Sequence, residues 1–92
     1  MTVAETIRAR LAAFEPQALE LVDESEMHRG HAGHQEGGGT HWRLSIVSAR
    51  FAGQPTVARH RMIYQALAEL MQHPIHALAI TARSPEETKG KQ

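Results

Sequence analysis

The fold is decided by residues 41–71, which read HWRLSIVSARFAGQPTVARHRMIYQALAELM. Trp42, Leu44 and Ile46 alternate with polar residues, and this period of two predicts a strand over residues 41–47. The glycine and proline that follow predict a turn at residues 51–55. Apolar side chains then recur at helical spacing as far as residue 71, which predicts a helix that could bend near residues 59–61.

The chain before this stretch contains a helix, a strand and a loop. Thr2 and Glu5 form a capping-box pattern, and apolar residues follow at helical spacing as far as Phe14. Residues 19–23 alternate and predict a short strand. Residues 24–40 are rich in glycine and lack an apolar period, which predicts a long mobile loop of the kind that is often functional.

The chain after this stretch returns to the sheet and ends in a helical turn. Alternation over residues 75–81 predicts a third strand. Ser84 and Pro85 are typical of a helix start, so residues 86–92 are expected to form a last helical turn and a frayed tail. The order α-β-β-α-α-β-α predicts an α+β fold, with a three-stranded mixed sheet packed on helices in a single domain over residues 1–85.

Composition limits the functions that are open to this chain. Its 92 residues are enough for one domain. Ten basic residues balance ten acidic ones, and the absence of net charge argues against nucleic-acid binding that is mainly electrostatic. No apolar run approaches the roughly 20 residues of a membrane span, and the N-terminus does not resemble a signal peptide. We therefore expect a cytoplasmic location, or an organelle matrix if a presequence has been removed. The absence of cysteine excludes disulfides, thiol catalysis and an iron–sulfur cluster held by the chain's own thiolates.

Seven histidines in 92 residues are the unusual feature of the composition. His28, His31 and His34 lie in the glycine-rich loop, and imidazoles bind transition metals well. Their spacing is not that of a self-contained zinc site, so a solvated polar loop is the other interpretation. His76 opens the third strand at the border between buried and exposed positions. It is either a metal ligand or a boundary histidine with a satisfied hydrogen bond.

One segment concentrates basic residues. Arg59, His60 and Arg61 are consecutive, and Arg43 and Arg50 are not far away in the sequence. This segment could contact phosphates, or it could be a solvated helix face with ordinary charge.

Enzymatic residue types are present without an enzymatic pattern. Asp23, Ser25 and His28 include the types of a hydrolase triad, but no nucleophile elbow or oxyanion hole accompanies them. We therefore expect a binding protein and not an enzyme.

Several of these segments together resemble the BolA family. The similarity runs from the first helix to the last with the same element order, and the combination of RHR with HALA is specific. The matching segments are VDES (22–25), THWRL (40–44), VSARFAG (47–53), RHRMIY (59–64), HALAI (76–80) and SPE (84–86). The resemblance implies a BolA-like domain similar to class II KH folds, with links to stress response and redox regulation.

The resemblance also implies two activities. In the first, the chain shares a [2Fe–2S] cluster with a monothiol glutaredoxin, and the glutaredoxin and glutathione supply thiolates. This chain would supply His76 and a residue of the loop between the first two strands, which falls at His28 with His31 and His34 as alternatives. The second activity is transcriptional regulation through DNA binding by the helix that carries residues 59–61.

The residues themselves favour the first activity. A chain without cysteine cannot hold such a cluster alone, but it can offer two imidazoles to an iron whose other ligands are thiolates. The imidazoles must be neutral to bind, so ligation is sensitive to protons. A third interpretation is an interaction module whose histidines bind only stray metal.

Overall fold

The computed structural model describes residues 2–25 and 39–89. Its helices and strands follow one another in the order α-β-β-α-β-α, with short 3-10 turns between some of them. Their bounds are α1 Val3–Leu11, β1 Ala18–Asp23, β2 His41–Val47, α2 Thr56–Leu67, β3 Ala77–Arg83 and α3 Pro85–Lys89. The longest described helix, α2, has 12 residues, and no described helix has the length and apolar character to cross a membrane.

The sheet has the strand order β1-β2-β3, with β1 antiparallel and β3 parallel to the central β2. Successive side chains of a strand face opposite sides of the sheet. Trp42, Leu44 and Ile46 of β2 are accordingly buried on the face that the helices cover, whereas His41 and Arg43 lie on the other face. The predicted α+β fold with a three-stranded mixed sheet is confirmed.

Helix α1 begins as its sequence predicts. The Glu5 amide donates to the Thr2 hydroxyl over 3.1 Å, and the Thr2 amide donates to the Glu5 carboxylate over 2.7 Å. This capping box satisfies two backbone donors that a helix start leaves without partners. Ile7 and Leu11 lie on the buried side of the helix and join it to the core.

Helix α2 ends four residues earlier than predicted. Arg10 of α1 donates to the carbonyl of Leu67 over 3.2 Å and pairs with Glu69 at 2.7 Å. The last carbonyls of a helix lack intrahelical partners, so this guanidinium caps the end of α2. Ala68 has a φ of 49°, and residues 68–71 form a 3-10 turn. The helix is continuous through residues 59–61, so the predicted bend and the second consecutive helix of the predicted order are absent.

Strand β3 begins at Ala77, two residues later than predicted. Ile75 is buried in the core, and its amide donates to the carbonyl of Leu70 over 3.0 Å. It therefore anchors the preceding turn instead of alternating within the sheet. His76 follows this anchor and precedes the strand.

Candidate functional site

His76 combines an exposed side chain with a fixed backbone. Its amide donates to the carbonyl of Thr40 over 2.7 Å, and the amide of Ala77 donates to the same oxygen over 3.2 Å. These two bonds tie the start of β3 to the residue before β2. The imidazole therefore stands at the surface, where a partner molecule can reach it.

His41, the first residue of β2, lies beside His76. The two imidazole centroids are 6.1 Å apart, and their ring planes differ by only 9°. No local sequence pattern predicts a role for His41. The signal that could have revealed it is the register, which aligns His41 with Ala77, because the starts of neighbouring parallel strands lie at the same edge of a sheet.

Hydrogen bonds connect His41 to the carboxylate of Asp23 through two buried hydroxyls. The Ser25 hydroxyl donates to Asp23 Oδ1 over 2.6 Å, and it accepts from the Thr40 amide over 3.0 Å. Thr40 Oγ1 lies 3.3 Å from Ser25 Oγ and 2.9 Å from His41 Nδ1. Ser25 is 1% exposed and Thr40 is 0% exposed, so this relay holds the His41 ring from inside the protein.

Asp23 is the anionic end of the relay. Partial burial raises the pKa of its carboxyl. Three hydrogen bonds lower this pKa, two from the hydroxyl and amide of Ser25 and one from the amide of Gly39, and the charge of His41 lowers it further. The net result is a pKa below the ordinary value, so the group is ionised at neutral pH. An ionised carboxylate is only an acceptor of hydrogen bonds.

The two ends of the histidine-bearing segment meet at this same edge of the sheet. Asp23 accepts from the amide of Ser25 over 2.9 Å and from the amide of Gly39 over 3.1 Å, which joins the residues on either side of the segment. Three of the predicted ligands lie outside the described residues: His28, His31 and His34. Their partnership with His76 stays a prediction.

The described residues bring two imidazoles together and do not form a complete metal site. Within residues 2–25 and 39–89, no group of three or more histidine, aspartate or glutamate side chains could hold a metal ion. In Rieske centres, two histidines replace two thiolates on one iron of a [2Fe–2S] cluster. Of the two ligands that the resemblance implies, the described part of the chain contains His76 and not the loop histidine.

Arg59, the first residue of the predicted phosphate-binding set, lies inside the protein and is 8% exposed. Its guanidinium donates to the carbonyls of Gln54 and Ala82 over 2.7 and 2.9 Å, and to the carboxylate of Glu87 over 2.6 Å. The bond from Arg59 and a second from the amide of Ser84 lower the pKa of Glu87 to about 2. Arg59 thus joins α2 to β3 and α3.

The other residues of the predicted phosphate-binding set lie nearer the surface. Arg61 is exposed, and His60 is half-buried with its ring edge-on to Tyr64 at a centroid distance of 6.4 Å. Arg50 pairs with Glu15 at 2.7 Å on the surface. The structure therefore does not gather the whole set on one exposed face.

Comparisons with known proteins identify the family of this chain. The sequence model described as BolA-like protein matches residues 11–87. The DNA-binding transcriptional regulator BolA of Escherichia coli (strain K12) is 42% identical over 93 residues, which cover 100% of this chain and 85% of that protein. BolA-like protein 1 of Mus musculus is 43% identical over 86 residues, which cover 92% of this chain and 60% of the mouse protein.

A solved structure agrees with these sequence comparisons. The BolA domain of SufE1 from Arabidopsis thaliana superposes with a TM-score of 0.83 at 39% identity, covering 95% of this chain and 96% of that domain. The names of the three relatives designate a regulator, a BolA-like protein and a BolA domain, and none of them names a reaction. The chain belongs to the BolA family.

Proposed function

We propose that this chain is a cytoplasmic binding protein, not an enzyme, and that it is the partner of a monothiol glutaredoxin in iron–sulfur homeostasis and redox regulation. His76 and a histidine of the segment between β1 and β2 bind a [2Fe–2S] cluster, and the glutaredoxin and glutathione supply its thiolates. The supporting observation is the exposed ring of His76 on a backbone tied to Thr40, at the edge where that segment begins and ends.

The two proposed ligands differ in how the chain holds them. His76 is the fixed ligand, because its backbone bond to Thr40 sets its place on the sheet. His28 is the proposed second ligand, with His31 and His34 as alternatives. A neutral imidazole in place of a thiolate reduces the negative charge on the cluster and so raises its reduction potential. The cluster supplies one-electron redox chemistry when it is bound.

The proposal is tested by adding the chain to a cluster-loaded monothiol glutaredoxin and recording visible circular dichroism. The wild-type chain should change the spectrum, and His76→Ala should perturb the shared cluster more than the loss of any single loop histidine. His73→Ala is the matched control, because His73 is exposed three residues before His76 and should leave the wild-type response intact. A spectrum that does not respond to the wild-type chain contradicts the proposal.

A second candidate function is binding of duplex DNA in transcriptional regulation, which the name of the E. coli relative supports. Because Arg59 is engaged inside the protein, the contacts to phosphate would fall to Arg61, His60 and Arg50. Binding should then weaken steeply with added salt and should be reduced by Arg61→Gln. Absence of duplex binding at low salt excludes this function.

A further inference from the structure

We propose that the groove between α2 and the outer edge of β3 binds an extended segment of a partner protein in which apolar and acidic residues alternate. The segment lies beside β3 as an added strand, a mode in which backbone hydrogen bonds provide affinity and alternate side chains provide specificity. His76 does not line this groove. The proposal is therefore independent of the shared cluster.

Strand β3 has one backbone side that faces β2. The amide of Ala77 donates to Thr40, which precedes β2, over 3.2 Å, and the carbonyl of Arg83 accepts from the amide of Ser48, which follows β2, over 2.9 Å. Backbone groups of successive residues in a strand point to opposite sides. The odd-numbered residues of β3 therefore direct their amides and carbonyls towards β2.

The other backbone side of β3 is the outer edge of the described sheet. The carbonyl of Ala82 points to this edge, where it accepts from Arg59 over 2.9 Å. By the same alternation, the amides and carbonyls of Leu78 and Ile80 also point to it. Unpaired groups of this kind form a template for another strand, and residues 77–82 contain no proline or charged residue that would protect the edge.

The groove beside this edge has the size of a ligand site. Its volume is about 520 Å³, within the roughly 300–1,000 Å³ that is usual for such sites. Thr56 and His60 of α2 line one side of it, and Ile80 and Ala82 of β3 line the other. An extended segment between these two sides would run along the backbone groups that are open to pairing.

The helix side of the groove favours apolar side chains in the added strand. Leu78 and Ile80 pair in register with Trp42 and Leu44, so they lie on the face of the sheet that the helices cover, and both are only half-buried. Side chains of neighbouring strands on one face contact each other. Apolar residues of the segment on this face therefore cover the exposed parts of Leu78 and Ile80.

The other face of the sheet favours acidic side chains in the added strand. Arg83 lines the groove and has no ion-pair partner within residues 2–25 and 39–89. Glu87 also lines the groove, but Arg59 pairs with it at 2.6 Å. The charge that is left without a partner is positive. A carboxylate of the segment beside Arg83 makes a favourable cross-strand pair.

The test uses the full chain, labelled with nitrogen-15, and a six-residue peptide, blocked at both ends, in which valine and glutamate alternate. The amide signals of Leu78 and Ile80 should shift on binding, and their hydrogen exchange should slow, because these amides gain acceptors. The amides of Ala79 and Thr81, which face β2, should change much less. Unchanged signals and exchange at Leu78 and Ile80 overturn the proposal. No iron or glutaredoxin is present, so the result does not depend on the shared-cluster proposal.

Methylated peptides test whether the segment pairs as a strand. An added strand directs every second amide to its neighbour, so the valine amides face β3 in an antiparallel pairing and the glutamate amides face it in a parallel one. Of two peptides that carry N-methyl groups on either the valines or the glutamates, one should lose binding and the other should keep it. Equal affinities of the two peptides overturn the added strand.

Charge variants test the acidic preference. Arg83→Gln should weaken binding of the peptide about two- to fivefold, and lysine in place of glutamate in the peptide should weaken it further. Arg61→Gln is the matched control, because Arg61 is exposed on α2 and does not line the groove. Equal affinities for the acidic and basic peptides contradict the proposed chemistry.

Two other occupants of the groove would be recognised in the same spectra. Shifts at Leu78 and Ile80 with oligodeoxythymidine, and not with the peptide, would assign the groove to nucleic acid. Shifts at these amides that depend on the concentration of the chain alone would assign it to a second copy. Either result overturns the proposal.

Discussion

Replacing Arg59 by methionine should destabilise the fold by several kcal/mol. The guanidinium is 8% exposed and donates to the carbonyls of Gln54 and Ala82 over 2.7 and 2.9 Å. A hydrogen bond to a charged group contributes about 1.5–3 kcal/mol, so the loss of these two bonds should cost about 3–6 kcal/mol. Methionine keeps most of the aliphatic bulk, so the loss reports mainly the polar contacts. The total stability of a small domain is about 5–15 kcal/mol.

Urea unfolding followed by far-ultraviolet circular dichroism measures this loss. With a slope of about 1 kcal/mol per molar urea, the midpoint of Arg59→Met should fall by about 3 M or more, or the variant should be unfolded in buffer. Arg61→Met, two residues along the same helix and exposed, is the control and should stay within about 0.5 kcal/mol of wild type. A loss below about 1 kcal/mol for Arg59→Met, or equal losses for both variants, would refute the assigned role.

Three further predictions concern stability in acid, the hydrogen bond between Ser25 and Thr40, and the start of helix α1. The hydrogen bond from Arg59 lowers the pKa of Glu87 to about 2 from an ordinary value of 4.5. The ionised Glu87 therefore stabilises the folded state fully above pH 4.5, and this contribution is lost as the pH falls from 4.5 towards 2. Glu87→Gln should therefore flatten the decline of the thermal midpoint over this acid range, and an unchanged decline contradicts the pairing. Ser25→Ala should cost about 1–3 kcal/mol in urea unfolding, because it leaves the buried Thr40 amide without its acceptor; wild-type stability would argue against the relay. Thr2→Ala should cost about 1 kcal/mol through loss of the capping box, and no change would show that the cap contributes nothing.

Local sequence patterns were sufficient for the elements whose signals lie in neighbouring residues. The alternation around Trp42 predicted β2 with its observed bounds, and the pairing of Thr2 with Glu5 predicted the start of α1. Boundaries that depend on distant residues were not predicted. Helix α2 ends at Leu67, where the backbone turns at Ala68 with a positive φ and where Arg10, 57 residues away in the sequence, caps the last carbonyl.

The surroundings of the candidate ligand could be predicted only in part, for the same reason. The position of His76 and the resemblance made it a candidate ligand, its ring is exposed, and its role as a ligand stays a prediction. The proximity of His41 depends on the register of two parallel strands, which no local pattern specifies. Arg59 belongs to a basic run in the sequence, yet contacts from β3 and α3 place it in the interior.

The proposed function requires histidine nitrogens of this chain to bind iron in a cluster that the chain shares with a monothiol glutaredoxin. Pulsed electron paramagnetic resonance of the reduced complex, with nitrogen-15 histidine in this chain and an unlabelled glutaredoxin, detects such nitrogens. We expect couplings from two directly bound nitrogen-15 nuclei, of which one is lost in His76→Ala and both are retained in His73→Ala. A wild-type complex in which the cluster shows no coupling to a histidine nitrogen of this chain would refute the shared-cluster proposal.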